Sequence, residues 1–256
     1  MKKKADESSI GASRDERETE GKMDSLYIVM PAYNEEANIE KTVREWIPLL
    51  QGKDPASRLL IADAGSTDRT HAILLELQQE FSRLEILTDS DRQHGPKLMA
   101  LYACAIERKA DYIFQTDSDG QTLPGEFPAF WAKRRKYDAL LGNRTVREDG
   151  RSRAFVEKVV CLLLLLIFRV NVPDANAPFR LMRSDLVKKY LHRMPADYNL
   201  PNIMLTVYFA RYREKLAFRR ITFRPRGGGK NSINMKKIIR IGWKALGDFR
   251  RFRKDM

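Results

Sequence analysis

Cysteine is nearly absent from the 256 residues: only Cys104 and Cys161 occur, both in apolar stretches of helical spacing. Two such thiols supply neither a disulfide framework nor a zinc spacing, so a reducing compartment is expected. His71, His94 and His192 are the only histidines. They are scattered and read as incidental surface residues, and no Ser-His-Asp or Cys-His arrangement is evident. Long apolar runs are also missing. The longest, over residues 159–168, reads Val-Val-Cys-Leu-Leu-Leu-Leu-Leu-Ile-Phe between Lys158 and Arg169. A bilayer span needs about 20 apolar residues, so no transmembrane helix is expected. Residues 1–22 carry six Lys/Arg and six Asp/Glu with almost no large apolar side chain. That composition predicts a disordered tail rather than a signal peptide. No internal repeat or low-complexity tract is present.

What is present begins with charge. The net charge is +13, and residues 211–256 hold sixteen Lys/Arg against three Asp/Glu, so the excess lies entirely there. A basic end on a neutral body suggests an anionic partner: phospholipid, a polyprenyl phosphate or nucleic acid. No aromatic-basic interleaving or recognised motif supports nucleic acid, and none is expected. The expected division is a tail over residues 1–22, one domain over 23–235 and a basic amphipathic helix over 236–256.

Residues 26–30 form a compact apolar strand, and residues 31–34 a turn whose Asn34 is placed to cap the next helix. Ile39, Val43, Trp46, Ile47 and Leu50 then recur at helical spacing. Strands over 58–62 and 84–88 flank a helix marked by Ile73, Leu74 and Leu77. Gly95-Pro96 opens a helix with Leu98, Leu101, Tyr102, Ala105 and Ile106 on its apolar face. A strand over 111–116, a helix over 125–136 and a strand over 138–142 follow. The alternation predicts an α/β fold with a mainly parallel, doubly wound sheet and flanking helices. Ligands of such sheets bind beyond the carboxyl ends of the strands. The second half reads as a helix over 152–168, a loop over 173–178 and a helix from a Ser184 cap to about 193. A helix over 202–212, a strand over 216–223 and a mobile glycine-rich loop over 224–232 come next. The last helix, over 235–253, carries Ile238, Ile241, Ala245 and Phe249 on one face.

Residues 111–121 read Asp-Tyr-Ile-Phe-Gln-Thr-Asp-Ser-Asp-Gly-Gln. An apolar strand runs into Asp117 and Asp119, two carboxylates that can point at one cation, and Gln121 adds a neutral oxygen. Mg²⁺ or Mn²⁺ takes such ligands and leaves positions open for substrate phosphates. Asp and Gly are also routine turn residues, so the spacing alone does not decide.

Residues 30–36 (Met-Pro-Ala-Tyr-Asn-Glu-Glu), 61–70 (Ile-Ala-Asp-Ala-Gly-Ser-Thr-Asp-Arg-Thr) and 117–121 do more in combination. In that order and spacing they resemble the nucleotide-binding half of family 2 inverting glycosyltransferases of the GT-A fold. Gly142-Asn143-Arg144, residues 174–180 (Asp-Ala-Asn-Ala-Pro-Phe-Arg) and residues 226–231 (Arg-Gly-Gly-Gly-Lys-Asn) look most like the polyprenyl-phosphate, or dolichyl-phosphate, sugar synthase branch. The resemblance covers roughly residues 25–232.

It implies a nucleotide-sugar donor and a divalent metal on Asp117, Asp119 and Gln121, with Asp119 essential to catalysis. The nucleoside would rest on Pro31, Ala32, Tyr33, Glu35 and Asp63. Asp63 matches the first Asp of the family's D-D-G-S, and Ala64 replaces the second. Lys97 sits near the family's G-K-G basic position. Arg144, Arg180, Arg226 and Lys230 match positions that hold phosphate. The glycines before Lys230 would let a loop close over substrate.

A sugar hydroxyl acceptor needs a general base. Relatives that use one supply a Glu-Asp pair where residues 198–202 here read Tyr-Asn-Leu-Pro-Asn. A phosphate acceptor is already anionic, so a membrane polyprenyl phosphate is the acceptor the sequence favours. Asp174 remains a candidate base or an organiser of its loop. Two alternatives stand: transfer to a saccharide hydroxyl, and a non-catalytic basic module that binds membrane or nucleic acid. The favoured reading places the protein in the cytoplasm, peripheral to a membrane that its basic C-terminal helix touches.

Overall fold

A computed structural model describes residues 23–147, 151–228, 235–254 and 256, and the side chains of 23–145, 155–228, 244–254 and 256. The tail over 1–22, Lys230 and the side chains of Ile238 and Ile241 lie outside these.

Three strands fall where their apolar runs predict: β1 (Leu26–Ala32), β2 (Arg58–Asp63) and β3 (Leu84–Leu87). Helices α1 (Ile39–Trp46) and α2 (Thr70–Glu80) connect them, and α3 (His94–Glu107) leads to β4 (Tyr112–Thr116). The chain continues through α4 (Phe127–Trp131), β5 (Ala139–Arg147), α5 (Arg151–Phe168), β6 (Phe179–Arg183), α6 (Ser184–Leu191), α7 (Pro201–Arg211), β7 (Leu216–Phe223) and α8 (Met235–Lys254). The sheet order is β3-β2-β1-β4-β6-β5-β7. All neighbours are parallel except β6, which runs antiparallel to both β4 and β5.

Several boundaries move for local reasons. Pro31 and Ala32 belong to β1 rather than to a turn, because they pair with Ala62 and Asp63. Asn34 does not cap α1. It sits at φ 55°, a left-handed conformation that Asn tolerates, and its side chain accepts from the Thr67 backbone N–H at 2.8 Å. Ser184 makes no side-chain cap to α6. The helix expected over 125–136 is a 3-10 turn and the five residues of α4. β6 was not foreseen: its five residues, Phe-Arg-Leu-Met-Arg, are too short and too charged to stand out.

Both faces of the central strands are covered, hence their nearly continuous apolar composition. On one face α1, α2 and α4 bury Val43, Trp46, Leu74, Phe127 and Phe130 against Ile28, Ile61 and Phe114. Phe114 meets Phe127 and Phe179 edge-on at 4.9 and 4.7 Å. On the other, α3, α5, α6, α7 and α8 bury Leu101, Leu164, Phe168, Val187 and Leu205 against Val29 and Ile113. The apolar side of α8 belongs to this second layer. Ala245, Phe249 and Phe252 are buried there, and Phe249 meets Phe168 edge-on at 5.6 Å. The expectation that Ala245 and Phe249 face a membrane is therefore corrected: from residue 245 onward that face is core.

Candidate active site

The carboxyl ends of β1, β2, β4, β5 and β7 and the amino end of β6 share one rim of the sheet. β1 leads outward to β2 on one side, and β4 lies on its other side. The chain therefore reverses direction between β1 and β4, the crevice where ligands of such sheets bind. Residues 32–38 and 117–121 flank that crevice. The Ser118 hydroxyl donates to the Pro31 carbonyl at 2.8 Å, and the Thr42 hydroxyl to the Ser118 carbonyl at 3.2 Å.

Asp117 and Asp119 stand together at the tip of β4. Burial and the neighbouring Asp117 charge push the Asp119 carboxyl up to about 7; Glu35 adds to the rise, while the Gln121 N–H and Arg226 oppose it. This is a cluster of negative charge short of cations. Arg226 supplies one, with Nη1 3.9 Å from Asp119 and Nη2 2.6 Å from Glu35. The donor chemistry fits a hard divalent ion. Among the described residues no three His, Cys, Asp or Glu side chains form a metal cage by themselves. Such an ion would take its remaining ligands from substrate phosphates and water.

Gln121 is placed differently from expectation. Its Nε2 donates to the Arg224 carbonyl at 2.7 Å, and its backbone carbonyl accepts from the Arg224 N–H at 2.8 Å. It thus anchors the chain that follows β7. Glu35 also serves that segment: it is buried, takes Arg226 at 2.6 Å on Oε1, and accepts from Asn38 Nδ2 at 3.0 Å on Oε2. Asn38 Nδ2 donates to the Gly228 carbonyl as well. Glu35, expected at the nucleoside, is the latch of residues 224–228. Gly120, at φ 73°, supplies the left-handed turn between Asp119 and Gln121.

Asp63 ends β2 with its carboxylate buried, held by the Ser66 hydroxyl and by His71 Nδ1 at 3.0 Å. His71, read as incidental, is thus its partner. Lys97 is fully buried rather than solvated. Its ammonium donates to the Ala32 carbonyl and lies 5.3 Å from the Tyr33 ring centre. Burial lowers its pKa, and Asp63 and Asp91 offset part of the fall. Tyr33, Asp63 and Lys97 therefore meet in one corner. At the start of the same helix Gly95 lets the Asn199 backbone pack close: a Cβ there would come within 2.3 Å of it.

The basic positions separate into different environments. Arg144 clasps Asp174 through Nε and Nη2, both at 2.8 Å, and reaches Glu157 at 3.1 Å. Burial would raise the Asp174 carboxyl, but Arg144 holds it below the usual range. Glu157 moves the other way, raised by burial and by the Asp174 charge. A carboxylate so engaged is a poor proton acceptor, and of the two roles expected for Asp174 these contacts match the organiser of its loop. Arg180 is wholly buried between Thr206 (2.8 Å) and the Ala175 carbonyl (3.4 Å), its pKa lowered by burial to about 10. It braces the 174–178 loop from inside the core. Arg226 alone of these arginines stands beside Asp119.

Sequence reasoning missed a buried chain behind Asp117. Tyr102 OH donates to Asn202 Oδ1 at 2.7 Å, Asn202 Nδ2 to Gln115 Oε1 at 3.0 Å, and Gln115 Nε2 to Asp117 at 3.3 Å. These partners come from three elements far apart in the chain, and no local spacing could have announced them. Glu157 was missed for the same reason.

Residues 27–191 match the family described as glycosyl transferase family 2. The chain belongs to that family. It is 26% identical over 62% of its length to a dolichyl-phosphate beta-glucosyltransferase of Trichomonas vaginalis, covering 54% of that protein. It is 25% identical over 84% of its length to an undecaprenyl-phosphate 4-deoxy-4-formamido-L-arabinose transferase of Edwardsiella ictaluri, covering 64% of it. The chain thus spans between half and two thirds of the length of these relatives. In fold it resembles glucosyl-3-phosphoglycerate synthase from Mycobacterium tuberculosis, crystallised with Mn²⁺, UDP and glucosyl-3-phosphoglycerate. That match has a TM-score of 0.63 and 19% identity, over 89% of this chain and 76% of the other.

Proposed function

We propose that this chain transfers a sugar from a nucleotide diphosphate sugar to a polyprenyl phosphate, with inversion at the anomeric carbon. The observation that carries the acceptor is the state of the carboxylates beside the 174–178 loop. Asp174 and Glu157 are both committed to Arg144 and to backbone N–H groups. A phosphate oxygen needs no base, so a site whose Asp174 and Glu157 are engaged in this way suits it. Two relatives named for dolichyl and undecaprenyl phosphate support the same reading.

An acceptor phosphate oxygen bonds to the anomeric carbon as that carbon's bond to the donor diphosphate breaks, and the nucleoside diphosphate departs with the electron pair. Asp117 and Asp119 would hold Mg²⁺ or Mn²⁺ against the diphosphate. Bound there, the ion would supply Lewis-acid stabilisation of the leaving charge. Tyr33, Asp63 and Lys97 form the donor corner. Arg226, drawn from Glu35 toward substrate phosphate, would close residues 224–228 over the site.

The test is a panel of labelled nucleotide sugars, with and without polyprenyl phosphate, in Mn²⁺, Mg²⁺ or EDTA. The expected product is a labelled lipid, formed only with divalent metal and labile to mild acid. Efficient labelling of a free saccharide instead would establish the hydroxyl-acceptor reading. Full activity in EDTA would remove the metal, and no metal-dependent hydrolysis or transfer of any nucleotide sugar would leave a binding module.

A further inference from the structure

The large apolar side chains that face solvent are not scattered. Of the eight exposed by more than a third among the described residues, five lie on α5: Phe155 (68%), Val159 (38%), Leu162 (54%), Leu165 (43%) and Leu166 (69%). Phe155, Val159, Leu162 and Leu166 follow one another at intervals of four, three and four, which places them on one face of the helix. The opposite face is committed to the protein. Leu164 and Phe168 are wholly buried, and Glu157 is bound by Arg144 and the Ala175 N–H. The helix therefore lies flat on the body with its second apolar face turned outward.

The surroundings of this stripe are cationic. Lys158 and Arg169 are exposed at its margin. The neighbouring α8 packs on α5 through Phe168 and Phe249 and exposes Lys244, Arg250, Arg251 and Lys254. Among the described residues, only Arg251 of these has a carboxylate within ion-pair distance, Asp248 at 3.7 Å. No helix is long and apolar enough to cross a membrane among the described residues.

We infer that the outward face of α5 seats the molecule on an anionic lipid bilayer, with the basic rim of α8 against the headgroups. The inference rests on the lipid-phosphate reading above, because a polyprenyl acceptor resides in such a bilayer. An apolar stripe edged by lysine and arginine is the pattern of a helix lying in the interface plane. A second copy of this chain fits the same face less well: a two-fold contact sets one basic rim against the other. The seat also has a consequence for catalysis. Glu157, on the inner side of the same helix, ties α5 to the Arg144–Asp174 loop, so the helix that touches lipid is also a wall of the rim.

The test uses full-length protein and two vesicle types, phosphatidylcholine alone and phosphatidylcholine with phosphatidylglycerol. The wild type is expected to float with the anionic vesicles, and salt to weaken flotation. The double substitution Leu162→Gln, Leu166→Gln leaves charge unchanged and alters only exposed side chains. It should reduce flotation tenfold or more while keeping turnover on a short, water-soluble isoprenyl phosphate. Turnover on a long-chain acceptor in vesicles should fall in parallel with flotation. A double variant that floats like wild type overturns the inference, and so does a wild type that stays at the bottom of the gradient with anionic vesicles at low salt. A wild-type dimer that the double variant converts to monomer, with no flotation by either, assigns the face to a second copy. If flotation follows the expected pattern but neither acceptor takes sugar, the seat stands and the acceptor reading fails. Phe155→Gln, at the other end of the stripe, repeats the flotation measurement on an independently folded variant.

Discussion

Asp119 is the residue whose chemistry is most exposed to test. Charging a carboxyl whose folded-state pKa stands near 7 costs the fold stability at neutral pH, a cost that disappears as pH falls and the group protonates. Asp119→Asn should therefore lose nearly all transfer and Mn²⁺ binding, yet melt at the same temperature or a few degrees higher. In the wild type a proton and the metal compete for the same oxygens, so Mn²⁺ affinity measured by titration should fall as pH drops below about 7. Unaltered Mn²⁺ affinity in the Asn variant would remove this carboxylate from the metal set. Asn202 poses a subtler case. It reaches Asp117 only through Gln115, so Asn202→Leu should raise the metal concentration needed for half-maximal activity about 10- to 100-fold, with the nucleotide KM little changed. An equal loss in both parameters would mean a general loosening of the core instead. The carboxylates were readable in the sequence because strand and turn chemistry place them side by side in the chain. Their supports were not, since Tyr102, Asn202 and Gln115 meet only after three elements have packed.

Among elements, the loop before β6 depends on one buried charge cluster. Removing Arg144 would strand Asp174 and Glu157 in a dry site, and Arg144→Met should destabilise the protein by about 3–5 kcal/mol. The pH dependence has a definite sign. The Asp174 carboxyl is held below its ordinary value, so its stabilising contribution is present above the ordinary carboxylate range and is lost as pH falls through the folded-state value. Urea denaturation midpoints of the wild type should decline below about pH 4, and Asp174→Asn should flatten that decline from a lower starting stability. An acid limb identical in the two proteins would show that another group governs it. The elements themselves were legible in proportion to their composition. β1, β2 and β4, buried on both faces, read as apolar runs and were located to within two residues. β6 carries Arg180 and Arg183 in five residues, and no local pattern marks it as a strand. Arg180 matched a phosphate-binding position in sequence, whereas its register opposite Gln115 turns it into the core.

For the molecule as a whole, the apolar faces of the adjoining helices α5 and α8 invite opposite expectations. Phe249 is buried against Phe168, and Leu166 is mostly exposed. Phe249→Ala should cost about 3–5 kcal/mol in chemical denaturation, and Leu166→Ala within about 0.5 kcal/mol of nothing. A loss at Leu166 as large as that at Phe249 would mean that the outward face of α5 is covered too. The sequence indicated two amphipathic or apolar helices beside a basic excess, but periodicity identifies an apolar face without saying what covers it. Only the packed arrangement distinguishes the face that became core from the one left outside.

The reversed strand has a bearing on how the molecule comes into being. β4 and β5 follow each other in the chain yet never touch, because β6 lies between them. When residues 26–116 have assembled, the half that carries Asp117 and Asp119 has an unsatisfied sheet edge at β4, and β5 finds both its neighbours only among residues still to come. Insertion of residues 179–183 is thus the step that joins two independent half-sheets. A slip of one residue there would swap every side chain between the two layers, putting Arg180 where Leu181 belongs. Pulse-labelled amide exchange should accordingly show β1, β2 and β4 protected early, and β5, β6 and β7 protected together afterwards. The two sides of the crevice would become one site only at that last pairing.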